Sequence, residues 1–197
     1  MSALYTGEYP YVIDILDALL AQSTRWVDVV FGIRAAEVAR LHCIKGRIPL
    51  LQSLVFAQAE LEDYSMPIDP GFARFVDAFE DSPSLTHLEL HVSNIKGWKC
   101  DWSSVVVLRL LTLSTADGLV AALSQSMRLE ELEVATNSVS EPIDIPQRMI
   151  TLPSLRTLKL PWNVFDVLGV LTAPGLKCLS IKFTNRDEHA EIGRAHV

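Results

Sequence analysis

The sequence predicts an α/β protein built from divergent stacked repeats: a curved parallel sheet with helices on its convex side. Three observations predict it. Leucine supplies 28 of the 197 residues, far more than any other type. The pattern L-x-x-L-x-L recurs as Leu51, Leu54, Phe56; Leu85, Leu88, Leu90; Leu108, Leu111, Leu113; Leu129, Leu132, Val134; Leu155, Leu158, Leu160; and Leu176, Leu179, Ile181. Four of these units carry a proline two residues ahead of the first anchor, at Pro49, Pro83, Pro153 and Pro174.

The unit starts are separated by 34, 23, 21, 26 and 21 residues. Most of these intervals match the roughly 20–29-residue period of leucine-rich repeats. The last two anchors of a unit are two apart, so both face one side of a short strand, while the first sits in the turn that enters it. One unit cannot bury such a wedge alone, but stacked neighbours can. The expectation is therefore a leucine-rich-repeat-like solenoid filling 1–190, with repeats over about 26–183.

Taken in order, Tyr11 to Ala21 reads as an opening helix, with Ile13, Leu16 and Leu20 inward and Asp14 and Asp17 outward. Trp26 to Phe31 alternates Val27, Val29 and Phe31 with Asp28 and Val30, the period of a strand. Ala35 to Leu41 serves as the first crossover helix, leading to the strand around Leu54. The later return segments also show helical spacing. Phe72, Phe75, Val76 and Phe79 share a face within 71–81, as do Leu119, Val120 and Leu123 within 115–127, and Phe165, Leu168 and Leu171 within 163–172. Trp98 and Trp102 lie in a segment too short for a full helix and are expected to pin it, while Trp162, just past a strand end, is expected to pack in the core or at the edge, with the rim as the alternative. Asn137, Asn163 and Thr184 each stand three residues past a last anchor, where a polar side chain can bond the turning backbone. Ala59, Ser93 and Ala116 hold the equivalent places in earlier units, so that ladder is partial.

Residues between the anchors point to the concave face. The candidate protein-binding residues are accordingly His87, Glu89, His91, Thr112, Glu131, Glu133, Thr157, Lys159, Ser180 and Lys182, with Ser53, Val55, Leu110 and Cys178 assigned to the same face. A curved sheet of this kind is a platform for holding a target protein. His87, Glu89 and His91, at i, i+2 and i+4, have a spacing two imidazoles and a carboxylate could use for a metal ion, but nothing else completes such a site and no metal is expected.

Other functions find little support. Lys plus Arg number 17 against 24 Asp plus Glu, a formal charge of −7 with no basic cluster, which argues against nucleic acid. No phosphate loop, nucleophile elbow, dinucleotide fingerprint or zinc-protease motif occurs, so neither catalysis nor a cofactor is expected. Cys43, Cys100 and Cys178 form no C-x-x-C pair and read as mostly buried free thiols. No stretch approaches the roughly 20 apolar residues of a membrane span. The expected location is cytoplasmic, nuclear or both.

Four phrases carry a family resemblance: I-L-D-A-L-L-A-Q-S-T-R-W (15–26), G-R-I-P-L-L-Q-S-L (46–54), F-E-D-S-P-S-L-T-H-L-E-L (79–90) and L-P-S-L-R-T-L-K-L-P (152–161). Over residues 9 to 183 the chain resembles the leucine-rich-repeat region of the F-box proteins of mushroom-forming fungi. The resemblance implies a substrate receptor that brings target proteins to an SCF ubiquitin ligase. The F-box itself has no counterpart in these residues, so a Skp-type adaptor is expected as a partner only if the full-length chain contains one. The alternative is a stand-alone leucine-rich-repeat scaffold unrelated to ubiquitination. Glu191 to Val197 reads E-I-G-R-A-H-V, the in-frame translation of a common sequencing adapter. On that reading 191–197 is a non-native tail and the chain a fragment; the alternative is an ordinary polar tail. Either way the tail is expected to be disordered.

Overall fold

A computed structural model describes residues 10–59, 76–92, 95–111, 118–135, 149–161, 168–182 and 194–196. Helix α1 (Pro10–Ala21) and a 3-10 turn (Ser23–Arg25) lead to β1 (Asp28–Arg34). Helix α2 (Ala35–Val38) and a 3-10 stretch (Ala39–Ile44) precede β2 (Ser53–Ala59), β3 (Val76–Phe79), β4 (His87–His91), β5 (Trp98–Cys100) and β6 (Val107–Leu111). Helix α3 (Leu119–Leu123) is followed by β7 (Glu131–Ala135), β8 (Ile150–Thr151), β9 (Thr157–Pro161), β10 (Leu171–Thr172), β11 (Cys178–Lys182) and β12 (Arg194–His196).

The fold is α/β. Seven strands form one parallel sheet in the order β1-β2-β4-β6-β7-β9-β11, so every new strand is laid beside its predecessor. Contrary to the disorder expected of the tail, β12 adds antiparallel to β11.

The repetition extends to the backbone. In seven successive units the N–H of the first anchor bonds the carbonyl three residues earlier: Trp26 to Ser23, Leu51 to Ile48, Leu85 to Ser82, Val105 to Trp102, Leu129 to Ser126, Leu155 to Leu152 and Leu176 to Ala173. The carbonyl of the next residue then accepts two N–H groups from the following unit. Val27 accepts from Gln52 and Ser53, Gln52 from Thr86 and His87, Thr86 from Val106 and Val107, and the series continues through Val106, Glu130 and Arg156. These bonds satisfy backbone groups that the turn would otherwise leave unpaired beside the core.

Trp26, Val29 and Phe31 thus act as the anchors of a unit ahead of the first leucine one, with Val29 in register with Leu54 and Phe31 with Phe56. The third leucine unit is corrected. Its anchors are Val105, Leu108 and Leu110, not Leu108, Leu111 and Leu113. Leu108 aligns with Leu88 and Leu132, Leu110 with Leu90 and Val134, and Val105, Leu108 and Leu110 are buried. Leu113 lies outside the described residues.

The inward rows run Leu54, Leu88, Leu108, Leu132, Leu158 and Phe56, Leu90, Leu110, Val134, all essentially inaccessible to solvent. Each buried leucine contributes roughly 1.5–3 kcal/mol of transfer free energy. Near the first strands aromatic rings fill the layer: Phe56 meets Trp98 edge-on at 4.9 Å, and Phe79 stacks on Trp98 at 5.7 Å. Trp98 and Trp102 are both buried, as a pinning role requires.

Helix α1 forms as expected, with Leu16 and Leu20 buried and Asp14 and Asp17 exposed, and α2 with its 3-10 extension occupies the first crossover. The later returns are less helical than their spacing suggests. Val76 to Phe79 is a strand paired in parallel with β5, and Leu171 and Thr172 pair with β8. Within the described part of the segment 115–127, which begins at Gly118, Leu119 to Leu123 is α-helical and the rest is not. The physical reason is that valine, phenylalanine and leucine pack in a buried strand as well as on a helix face, so an apolar stripe at this spacing does not by itself select the helix. Phe72, Phe75, Phe165, Trp162, Asn137, Asn163 and Thr184 lie outside the described residues.

Candidate protein-interaction face

Burial alternates along each central strand, and the outward positions fall into cross-strand rows. One row is Asp28, Ser53, His87, Val107, Glu131, Thr157 and Cys178. The next is Val30, Val55, Glu89, Arg109, Glu133, Lys159 and Ser180. Farther along lie Ala57, paired with His91, and Pro161, paired with Lys182. Nine of the ten candidate residues therefore share the outward face: His87, Glu89, His91, Glu131, Glu133, Thr157, Lys159, Ser180 and Lys182. Thr112 lies outside the described residues. Leu110, assigned to this face from the sequence, points inward and is 1% exposed.

The sequence reading missed Arg109, which the corrected register sets at the centre of the second row. Its Nη2 lies 3.3 Å from Glu131 Oε1 and donates a hydrogen bond to it. Nη1 stands 3.7 Å from Glu89 Oε2. Nε is buried without a hydrogen bond, its carboxylate neighbour Glu133 Oε2 being 3.9 Å away. Lys159 Nζ reaches Glu133 Oε2 at 3.2 Å and Glu131 Oε1 at 3.5 Å. His91 Nε2 sits 2.9 Å from Glu89 Oε1.

Directly opposed charges on one sheet face attract, so strands carrying Glu, Arg, Glu and Lys in register hold one another in place. The hydrogen bond to Glu131, reinforced by the charges of Glu131, Glu133 and Glu89, raises the Arg109 pKa. The hydrogen bond to Glu133 raises that of Lys159. Both side chains are thus fixed as cations. The three carboxylates, assigned from the sequence to the protein-binding face, are engaged within the sheet.

At this ladder the face dips into a depression of about 320 Å³, lined by Ser53, Leu54, Val55, His87, Leu88, Glu89, Val107, Arg109 and Glu131. Val55 and Val107 give its lining an apolar part among the charged side chains. His87 Nδ1 lies 2.9 Å from Thr86 Oγ1, which directs that imidazole to its own strand. Small apolar pockets edged by a few oriented polar groups suit the capture of a single side chain.

Among the described residues, no group of three His, Cys, Asp or Glu side chains is arranged to hold a metal ion. Nor is any described helix long and apolar enough to cross a membrane. Cys43, Cys100 and Cys178 are free thiols, but contrary to the mostly buried thiols expected, Cys43 is exposed and Cys100 and Cys178 are only partly buried. No family model, curated protein or solved structure matches the chain.

Proposed function

We propose that this chain is a leucine-rich-repeat-like recognition module, the target-binding part of an F-box protein that brings other proteins to an SCF ubiquitin ligase. The observation that carries the binding role is the outward face. Seven parallel strands offer aligned positions, an ion-paired ladder holds the centre in place, and a depression lined by Val55 and Val107 together with ladder residues opens on the same face. Holding the face in this way lowers the cost of binding, because the surface need not be ordered when the partner arrives. The ubiquitin assignment rests on the four phrases that resemble F-box repeat regions.

Variants at the depression test the proposal. Val55→Arg and Val107→Glu fill it or charge its lining without touching an inward anchor. In the source cells, each is expected to abolish ubiquitylation of the protein's targets while leaving adaptor binding by the full-length protein unchanged. Normal ubiquitylation with both variants would refute the role of the face. Failure of the full-length wild-type protein to bind a Skp-type adaptor would refute the ligase assignment alone.

A further inference from the structure

The depression on the outward face carries a charge preference. Its lining holds two carboxylates, Glu89 and Glu131, against one guanidinium, Arg109. Arg109 is already committed, donating to Glu131 Oε1 at 3.3 Å and standing 3.7 Å from Glu89 Oε2. The other titratable residue of the lining, His87, has its Nδ1 turned to Thr86 Oγ1 at 2.9 Å. Beyond the lining, Lys159 and Glu133 balance one another at 3.2 Å. Asp28, exposed and in register with Ser53, adds a further negative charge at the margin. The lining thus has one carboxylate more than it has guanidinium groups, with a second acid beside it.

The two carboxylates are neither open surface nor enclosed: Glu89 keeps 24% of its side-chain exposure and Glu131 27%. Groups so placed have lost much of their water and can still be reached, so a visiting charge acts on them more strongly than it would on open surface. Three kinds of side chain could enter, and they differ in what they do to these carboxylates. An acidic one meets an occupied Arg109 and faces Glu89 and Glu131, a like-charge contact that is costly at an interface. A purely apolar one rests on Val55 and Val107 but strips the remaining water from both carboxylates without giving them a partner.

A basic side chain satisfies both parts of the lining. Its methylene stem lies against the valines while its head reaches the carboxylates, as long cationic side chains divide themselves between apolar surface and charge. Val30, 76% exposed and in register with Val55, extends the apolar part toward β1. The stem needs both valines of the lining, so a charged residue of either sign at 55 or 107 removes part of its support.

We propose that the depression receives a basic side chain, a lysine or arginine presented by a segment of the target protein. This rests on the reading of the outward face as the binding face and names the chemistry that face selects.

Random peptides displayed on phage and selected on the purified full chain test it, with the affinity of enriched peptides measured by titration calorimetry. The enriched peptides are expected to share a lysine or arginine, and norleucine in its place should weaken binding roughly tenfold. Glu89→Gln and Glu131→Gln should each weaken the parent peptide and leave the norleucine peptide nearly unchanged, a coupling that a damaged fold would not produce. Circular dichroism checks that each variant is folded, and either glutamine variant alone suffices. A shared acidic or apolar anchor, peptides indifferent to norleucine, peptides indifferent to both glutamine variants, or a selection that enriches nothing would overturn the proposal. Val107→Trp, which fills the depression without changing its charge, separates that result from failure of the face. It should abolish binding whatever the anchor; peptides that bind it as tightly as the wild type would refute the outward face as the binding surface.

Discussion

Alanine at Gly118 should destabilise the protein far more than alanine at Gly46, although both glycines adopt positive φ, +84° and +71°. A left-handed conformation costs a non-glycine residue about 1–2 kcal/mol. The reduced freedom of the unfolded chain returns roughly 0.4–1 kcal/mol of that. At Gly46 the added methyl would have Asp81 Oδ2 at 3.8 Å, an ordinary contact, so the net loss is expected to stay near ~1 kcal/mol or below. At Gly118 it would sit 2.6 Å from Lys96 Cα, 2.7 Å from Lys96 N and 3.2 Å from Ile95 C. Those atoms are backbone and cannot rotate away, and Ile95 beside them is buried at 2% exposure. Restoring normal contact displaces that backbone by about 1 Å, and such overpacking costs about 1–3 kcal/mol more. The total for Gly118→Ala is then about 2–4 kcal/mol. At about 2–4 °C per kcal/mol for a chain of this size, Tm should fall by roughly 5–15 °C. Urea and thermal denaturation of both variants measure the difference. Equal stabilities, within about 0.5 kcal/mol, would refute the close approach of residue 118 to the 95–96 backbone.

Three further outcomes follow from the side chains. Arg109→Leu leaves Glu89, Glu131 and Glu133 facing one another and should cost about 1 kcal/mol after allowance for solvent screening, more at low salt. Adding Glu131→Gln in that background should recover part of the loss in a double-mutant cycle; strictly additive losses would show that the ladder is not coupled. The Lys45 ammonium donates to Glu80 Oε2 at 2.7 Å and Asp77 Oδ2 at 3.0 Å and holds both carboxyls below their ordinary range. A folded pKa below the unfolded one contributes stability above the ordinary carboxylate range and loses it as pH falls through the lowered value. Lys45→Met should therefore raise both carboxyl titrations, followed by carbon-13 NMR, and flatten the acid limb of stability. Unchanged titrations would contradict the pairing. Burial, with a smaller push from Asp101, raises the Cys100 thiol pKa, so iodoacetamide at pH 8 should alkylate exposed Cys43 long before Cys100.

How much was legible in the sequence depended on how many readings each segment allowed. Leu85-x-x-Leu88-x-Leu90 and Leu155-x-x-Leu158-x-Leu160 admit one register, because polar residues stand between the anchors. The run from Val105 to Leu113 admits two, since apolar residues occupy nearly every position. The leucine-only pattern selects the wrong one. Arg109 could have decided it: next to two inward leucines, a guanidinium escapes desolvation only if it faces outward, which forces Leu108 and Leu110 in. That choice also reveals the ion-pair ladder, since Arg109 then falls in register with Glu89 and Glu133. The strand at Trp26 to Phe31 was legible from its alternation, with Val29 and Phe31 on one face, but the leucine pattern did not mark it as a unit because Trp26, Val29 and Phe31 supply the anchor volume without leucine. Helical spacing misled at Val76 to Phe79 because valine and phenylalanine suit a buried strand equally well. The residue three places ahead of each first anchor, a buried serine at 23, 82 and 126, carries little sequence signal. Its role is performed by a carbonyl that every residue possesses.

The account turns on whether the outward side of the parallel sheet holds the target. Photo-crosslinking residues placed singly at Ser53, Val107 and Thr157, in the full-length protein within its source cells, test this against residues placed at Ser124, Gln125 and Arg128 beside α3. Adducts to one common target are expected from the first three positions and none from the second three. The same target captured from beside α3, with none from the strands, would contradict it.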